Sequence, residues 1–239
     1  MRMPGWCDEY EIKARYIPVL LSVMPVAHLL LQLFGGTFLK ELAIGINWIP
    51  AASNLSLSFL GTVALAQFQC SLGKHWIEEG VFGRRGERFP TTDMLLYENE
   101  MISRERKAQI RAIVSELYGC TLSDECEEST DPETARLRAR EAVGQMRATV
   151  SRGTMTITYN IRYGFFRNLI AGVIWSVIGS VGCSIYYGSA SSWKVMVLFI
   201  SWAAGHLALF IFRERILADL ASAYADALFG EFINQTRGV

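Results

Sequence analysis

Five polar residues recur along the second long apolar segment of this sequence, at intervals of seven, four, four and seven residues. They are Asn47, Asn54, Ser58, Thr62 and Gln69. Side chains at such spacings share one face of a helix. Polar side chains in hydrocarbon need hydrogen-bond partners, so this face should turn toward water or toward another helix. The pattern therefore predicts either the wall of an aqueous pore or a hydrogen-bonded contact between helices.

A second set of residues suits the binding of anions. Seven basic side chains follow the same segment: Arg84, Arg85, Arg88, Arg104, Arg106, Lys107 and Arg111. A guanidinium group can donate two hydrogen bonds at once to a phosphate. These residues are the candidate site for an anionic lipid headgroup, or for a nucleotide or oligonucleotide. Because Glu98, Glu100 and Glu105 lie among them, a solvated face of mixed charge is the alternative.

Residue patterns typical of catalysis are absent from the sequence. The histidines are His28, His75 and His206, and there is no nucleophile elbow, Walker loop or kinase signature. His75 with Glu78 and Glu79 matches no metal-binding motif, and the five cysteines lack the paired spacing of a zinc site. We therefore expect no catalytic residue, no metal and no cofactor, and we predict that the protein is not an enzyme.

The segments that must position these residues are unusually apolar. Of the 239 residues, 51% are hydrophobic, and the mean hydropathy is +0.23. The charged residues avoid four windows, which are Tyr16 to Phe34, Ile46 to Cys70, Leu169 to Tyr187 and Val195 to Phe212. Each window is long enough to cross a hydrocarbon core of about 30 Å as a helix. We predict an all-α membrane protein with four transmembrane helices in two hairpins.

These windows divide the chain into four parts. Residues 1–72 form an N-terminal lead and the first hairpin, 73–168 a cytoplasmic helical domain, 169–212 the second hairpin, and 213–239 an amphipathic tail helix. The apolar stripe of the tail should pack on the cytoplasmic domain or on a neighbouring subunit. It consists of Ile216, Leu217, Leu220, Tyr224, Leu228 and Phe232.

The basic residues predict the orientation of the chain. Within the short loops of the two hairpins the only basic residues are Lys40 and Lys194, and the other ends of the windows are flanked by many more. Basic residues near transmembrane ends favour the cytoplasmic side. Both termini and the central domain are therefore predicted to be cytoplasmic.

Small residues recur along the third window at intervals of four, three and four. They are Gly172, Ser176, Gly179 and Cys183. Small side chains allow two helix backbones to approach closely. We interpret this seam as a helix-packing face, and a pore-lining role is the alternative.

Local signals predict the helices of the central domain. Pro90 begins a helix that can continue as far as Leu117, and Gly119 is a natural stop. Asp131, followed by proline and glutamate, is the clearest N-cap in the sequence. Residues 121–130 are acidic and are predicted to form a loop.

The order of parts, together with the stretches PTT at Pro90 to Thr92 and YGFFRN at Tyr163 to Asn168, resembles a known class of proteins. These are the small multi-pass membrane effectors of bacterial anti-phage defence systems, including the membrane effector of the Hailong system. The resemblance is mainly one of architecture, and neither stretch carries a residue role that can be transferred.

The resemblance implies a homo-oligomer in the lipid bilayer that opens or permeabilises the inner membrane. Its cue would be a nucleotide or oligonucleotide, such as the product of a neighbouring nucleotide-synthesising enzyme. The leading prediction is thus a ligand-gated channel or pore-forming effector. The alternative is a non-conducting membrane adaptor that recruits a protein partner through its cytoplasmic domain.

Overall fold

The structure is a computed structural model that describes residues 9–44, 48–150, 153–189 and 192–236. Side chains are described within these ranges except at residues 34–44, 48–59, 85 and 189. The described residues form helices joined by turns and contain no strand. The predicted all-α class is confirmed.

Eleven α-helices follow one another in the described ranges. They are α1 (Ile17–Ile44), α2 (Trp48–Leu72), α3 (Glu79–Phe82), α4 (Pro90–Asp93), α5 (Arg104–Tyr118), α6 (Glu125–Thr130), α7 (Pro132–Thr149), α8 (Thr154–Ala171), α9 (Val173–Ser189), α10 (Trp193–Ile211) and α11 (Arg213–Thr236). A π-helical turn, Glu11–Tyr16, precedes α1, and a second one, Gly73–Glu78, follows α2.

The chain divides into two compact units. The first, called here the apolar unit, comprises Met1–Ile77 and Gly164–Glu214, and the second, the polar unit, comprises Glu78–Tyr163 and Arg215–Val239. The C-terminal tail thus belongs, from Arg215 onward, to the same unit as the central part of the chain. Helix α8 contributes residues to both units, because the division falls within it.

Large apolar side chains cover much of the apolar unit. Within this unit, α9 packs against both α1 and α10. The exposed apolar residues include Leu20, Leu31, Ile178, Ile185, Leu198 and Ile211. So many exposed large apolar side chains are unusual in water and typical of a membrane or partner contact.

Two of the described helical stretches are long and apolar enough to cross a membrane, Glu11–Leu33 and Trp193–Ile211. Helices α8 and α9 pass the same test together but are bent by 46° at their junction, so they add a third span if the pair counts as one. By length and composition, the described residues therefore provide two spans, or up to three, where the sequence predicts four.

The polar unit has a continuous hydrophobic core. Helix α7 contributes Val143 and Met146, and α5 contributes Ile110 and Val114. The tail helix α11 completes this core with Ala225, Leu228, Phe229, Phe232 and Ile233. The apolar stripe of the tail was predicted to pack either on the central domain or on a neighbouring subunit. The C-terminal part of the stripe packs on the central domain.

Two of the predicted helix signals are confirmed. Asp131 caps α7, because its side chain accepts a hydrogen bond from the Thr134 backbone amide at 3.1 Å. Gly119 ends α5 in the left-handed conformation, with φ of 63°, which glycine adopts without steric cost.

Two other local predictions differ from the structure. The helix that begins at Pro90 ends after one turn at Asp93, and a new helix begins after Ser103, whose hydroxyl accepts from the Arg106 amide at 3.2 Å. Met94, Leu95 and Leu96 are all buried, whereas a surface helix buries only one stripe. The predicted loop 121–130 contains α6, because Asp124 accepts from the Glu127 amide at 2.8 Å and caps it.

Candidate functional site

Of the polar face of α2, the structure describes the side chains of Thr62 and Gln69. Asn47 lies outside the described residues, and so do the side chains of Asn54 and Ser58. Thr62 is half-buried, and Gln69 is fully buried. At Gln69, therefore, the face contacts protein, which matches the interhelical alternative at this one position.

Gln69 belongs to a polar joint that we define by Ser22, Gln69 and Asn168. The Gln69 amide nitrogen donates to the Asn168 carbonyl at 2.7 Å and to the Ser22 hydroxyl at 3.3 Å. The Asn168 amide donates to the Ala14 carbonyl at 2.6 Å. The joint thus links α1, α2 and α8 by hydrogen bonds, which are favourable where water is excluded.

Glycines make room for this joint. A Cβ atom at Gly172 would lie 2.0 Å from the Ser22 hydroxyl oxygen, and one at Gly73 would lie 2.8 Å from the Asn168 side-chain oxygen. Sequence reasoning identified Gln69 but placed neither Ser22 nor Asn168 beside it. The sequence signal that could have pointed to Ser22 and Asn168 was the glycine packed against each of them, Gly172 and Gly73.

The small-residue seam of α9 faces α1. A Cβ atom at Gly179 would lie 2.4 Å from the Val26 backbone nitrogen, and Cys183 donates from Sγ to the Pro25 carbonyl at 3.2 Å. Gly172 meets Ser22 of the same helix, and the Ser176 side chain is fully buried. Gly172, Gly179 and Cys183 thus lie against α1, and Ser176 is buried.

Helix α9 also carries four hydroxyl groups, which we call the hydroxyl row and which share Ser176 with the seam: Ser176, Ser180, Ser184 and Tyr187. Their spacing of four, four and three keeps them on one side of the helix. The Tyr187 hydroxyl lies 2.8 Å from the His28 Nε2 atom, and Ser184 donates to the Ser180 carbonyl at 2.8 Å. Ser176 and Ser180 are buried, and no described residue lies within hydrogen-bond distance of either hydroxyl.

Helix α10 adds further buried polar atoms. His206 Nδ1 lies 3.2 Å from the Trp202 carbonyl, and its Nε2 atom has no hydrogen-bond partner among the described residues. The indole nitrogens of Trp175 and Trp202 are also buried and have no hydrogen-bond partner among the described residues. A buried polar group without a partner costs about 1–3 kcal/mol. Such groups are suited to binding water or another polar species inside the apolar unit.

The seven basic candidates for an anion site are not gathered on one surface. The Lys107 side chain is 1% exposed and donates to the carbonyls of Leu96, at 2.6 Å, and Asn99. Burial lowers the pKa of Lys107, and the nearby Glu128 carboxylate acts in the opposite direction. This ammonium group closes the turn between α4 and α5.

Arg111 also serves the fold of the polar unit. It donates to the Leu95 carbonyl at 2.8 Å and the Ser123 carbonyl at 2.6 Å, and it pairs with Glu128 at 2.5 Å. Its guanidinium group stacks over the Tyr97 ring at 4.1 Å. These contacts use the donors that a phosphate would need.

The remaining basic candidates lie near the surface. Arg104 pairs with Glu125 at 3.4 Å, and Arg106 pairs with Asp226 at 3.3 Å. Arg84 and Arg88 are exposed, and the side chain of Arg85 is outside the described residues. The sequence pattern did not separate these residues from Lys107 and Arg111, because burial depends on how α4, α5 and α6 pack.

The polar unit also has an open cleft of ≈ 400 Å³ at the start of α7. It is lined by Glu87, Thr92, Glu133, Thr134, Arg136, Leu137 and Arg140. Two carboxylates and two guanidinium groups balance one another, so the cleft does not select anions by charge. Sequence reasoning assigned no role to Arg136 and Arg140, although their spacing of four places them on one face of α7.

The described residues hold no group of three or more His, Cys, Asp or Glu side chains that could bind a metal ion. The Glu78 carboxylate accepts a hydrogen bond from the Tyr163 hydroxyl at 2.9 Å.

Comparisons of the chain with protein families, with curated proteins and with solved structures found no match. The resemblance to anti-phage membrane effectors therefore stays a prediction, and function has to be argued from the side chains themselves.

Proposed function

We propose that this chain is one subunit of a homo-oligomeric channel or pore-forming effector in the bacterial inner membrane. Four transmembrane helices in two hairpins hold it there, with both termini and the polar unit in the cytoplasm. An anionic nucleotide or oligonucleotide gates it, and its role is anti-phage defence.

One observation supports conduction over passive anchoring. The apolar unit contains buried polar atoms without described partners at Trp175, Ser176, Ser180, Trp202 and His206. An anchor gains nothing from such atoms, since each unsatisfied group in hydrocarbon costs several kcal/mol. A conducting protein needs them, because polar atoms replace part of the hydration of whatever crosses the membrane.

The ligand assignment depends on the basic side chains that the fold leaves at the surface. Arg84 and Arg88 are the first candidates, since both are exposed on the turn before α4. Arg104 and Arg106 are the second pair. Their surface ion pairs contribute at most about 1 kcal/mol each, so a phosphate group can displace the carboxylates.

The test is ion flux from liposomes that contain the purified full-length chain. Release of K⁺ and Cl⁻ is measured alone and with ATP, a cyclic dinucleotide or a short single-stranded oligonucleotide. We expect at least one probe to change the flux, and the double variant Arg84→Ala, Arg88→Ala to lose that response. Arg138→Ala is the matched control, since Arg138 is a partly exposed arginine paired with Glu127 that is not assigned to the ligand.

A non-conducting adaptor is the second candidate function. The contacts of two of the seven basic residues favour it. Lys107 and Arg111 bind carbonyls of their own unit, which weakens the case for an anion sensor. The polar unit exposes Met101, Leu117 and Leu137, which are apolar residues available to a protein partner. Absence of flux with every probe, together with a monomeric state in detergent, would contradict the channel and leave the adaptor.

A further inference from the structure

The types of polar group in the hydroxyl row and the polar joint indicate which species crosses the membrane. Resting on the function proposed above, we propose that the conducted species is the proton. It would be relayed along the hydroxyl row of α9, between the His28 and Tyr187 pair and the polar joint, with His206 as a relay from α10.

The row is long enough for this role. From Tyr187 to Ser176 it covers eleven residues of helix, which correspond to about 16 Å of a hydrocarbon core of about 30 Å. Gly172 lies immediately before the first residue of α9, and there the Ser22 hydroxyl and the Gln69 amide continue the polar path. Polar groups thus follow α9 through most of the apolar unit.

His206 lies at the depth of Ser180. The rings of Tyr187 and Phe199 are stacked with centroids 6.3 Å apart, which fixes the register between α9 and the neighbouring α10. Seven residues back along α9 lead to Ser180, and seven residues forward along α10 lead to His206. Both steps correspond to about 10 Å of helix. Phe199 and His206 share one face of α10, because residues seven apart lie nearly in line.

The chemistry of the row suits protons better than metal cations. The helices around it carry no Asp, Glu, Lys or Arg in residues 17–33, 60–72, 173–188 and 195–211, so no fixed charge offsets the dehydration of an ion. Hydroxyl groups both donate and accept, and a neutral imidazole has one donor and one acceptor nitrogen. Neighbouring side chains of the row are about 5–6 Å apart along the helix, so a water molecule between them would complete each transfer step. Each group could then accept a proton on one side and release its own on the other.

The transfer leaves no net chemical change in the protein. One proton enters at one end, a different proton leaves at the other, and every oxygen and nitrogen regains its original bonds once the hydroxyl groups rotate back. The close packing around the hydroxyl row is also compatible with a proton as the conducted species. Ser176 and Ser180 are fully buried, and α9 contacts α1 at Gly179 without room for a methyl group. A hydrated cation needs far more space.

The experiment measures proton entry into liposomes that enclose a pH-sensitive dye, with the full-length chain and the same three probes. A potassium ionophore clamps the voltage, and K⁺ and Cl⁻ release is followed in parallel without the ionophore. We expect proton flux to exceed both, and to fall by at least about tenfold in Ser176→Ala, Ser180→Ala and in His206→Gln, as for loss of a proton-transfer group. Ile178→Ala is the control, since this α9 side chain is 60% exposed.

The serine double variant and His206→Gln test the relay independently of each other. Glutamine preserves hydrogen bonding at position 206 but cannot relay a proton, so full flux in His206→Gln would contradict the relay even if the serine variant misfolds. Flux of K⁺ or Cl⁻ that exceeds proton flux would overturn the proton assignment and leave the channel standing. Absence of flux of any species would overturn both.

Discussion

At the scale of single residues, glycine is the most informative residue type in the apolar unit. Two glycines in neighbouring helices have opposite surroundings. A Cβ atom at Gly179 would lie 2.4 Å from the Val26 backbone nitrogen, whereas a Cβ atom at Gly205 would meet no atom within 4 Å. The space beside Gly179 is occupied by α1, whereas the space beside Gly205 is empty. Both are helical, so their backbone preferences are comparable.

This contrast gives a prediction about stability. Gly179→Ala should lower the stability of the full-length chain by about 1–3 kcal/mol, because the backbone of α1 has to move away. Gly205→Ala should leave stability unchanged or raise it by up to about 1 kcal/mol, because alanine favours the helix. Thermal unfolding in detergent measures both, and equal effects of the two substitutions would contradict the packing described here.

At the scale of elements, the start of α8 depends on a side chain from α11. The Glu231 carboxylate accepts hydrogen bonds from the backbone amides of Met155 at 2.8 Å and Thr156 at 3.0 Å. Burial acts to raise the pKa of Glu231, but the hydrogen bonds from Thr156 and Met155 outweigh it, so the pKa lies below its usual value. A residue 75 positions away thus caps the helix.

The cap predicts a pH-dependent contribution to stability. Because the pKa is lower in the folded state, the contribution is complete above the ordinary value of 4.5 and disappears as the pH falls through the folded value. Glu231→Ala should cost about 1 kcal/mol at neutral pH. The difference from the unsubstituted chain should shrink in acid. Glu116→Ala, an exposed glutamate on α5, is the control, and a constant difference at all pH values would contradict the cap.

The elements also show how far sequence reasoning reaches. Asp131 and Gly119 act through neighbours within five residues, so their helix boundaries were predictable. The break between α4 and α5 was not, because it follows from Lys107 reaching back to the Leu96 and Asn99 carbonyls. In the candidate site, the spacing of the α9 seam was visible in the sequence. The unpartnered hydroxyls beside it were not, since spacing does not reveal which atoms lack a partner.

At the scale of the whole molecule, the orientation of the chain can be tested with its own cysteines. Cys126 is an exposed free cysteine of the polar unit, and the distribution of basic residues predicts that this unit is cytoplasmic. In a chain whose other cysteines are replaced by serine, Cys126 should react with an impermeant maleimide only after the cells are opened.

A matched site reports the opposite side. With Cys126 also replaced, Trp193→Cys at the exposed start of α10 should react in intact cells. Labelling of both positions from the same side would contradict the two-hairpin arrangement, and reversed labelling would place the polar unit outside.

Under the proposed proton relay, the hydrogen bond from the Ser184 hydroxyl to the Ser180 carbonyl would bear on the energy supply of the cell. That hydrogen atom is held by the backbone of its own helix at 2.8 Å, so it is not offered to the next hydroxyl. A bacterium stores respiratory energy as a proton gradient, and an uninterrupted path would discharge it during ordinary growth. In the proton relay proposed above, a single rotation about the Ser184 side chain would separate a closed path from one that discharges this gradient.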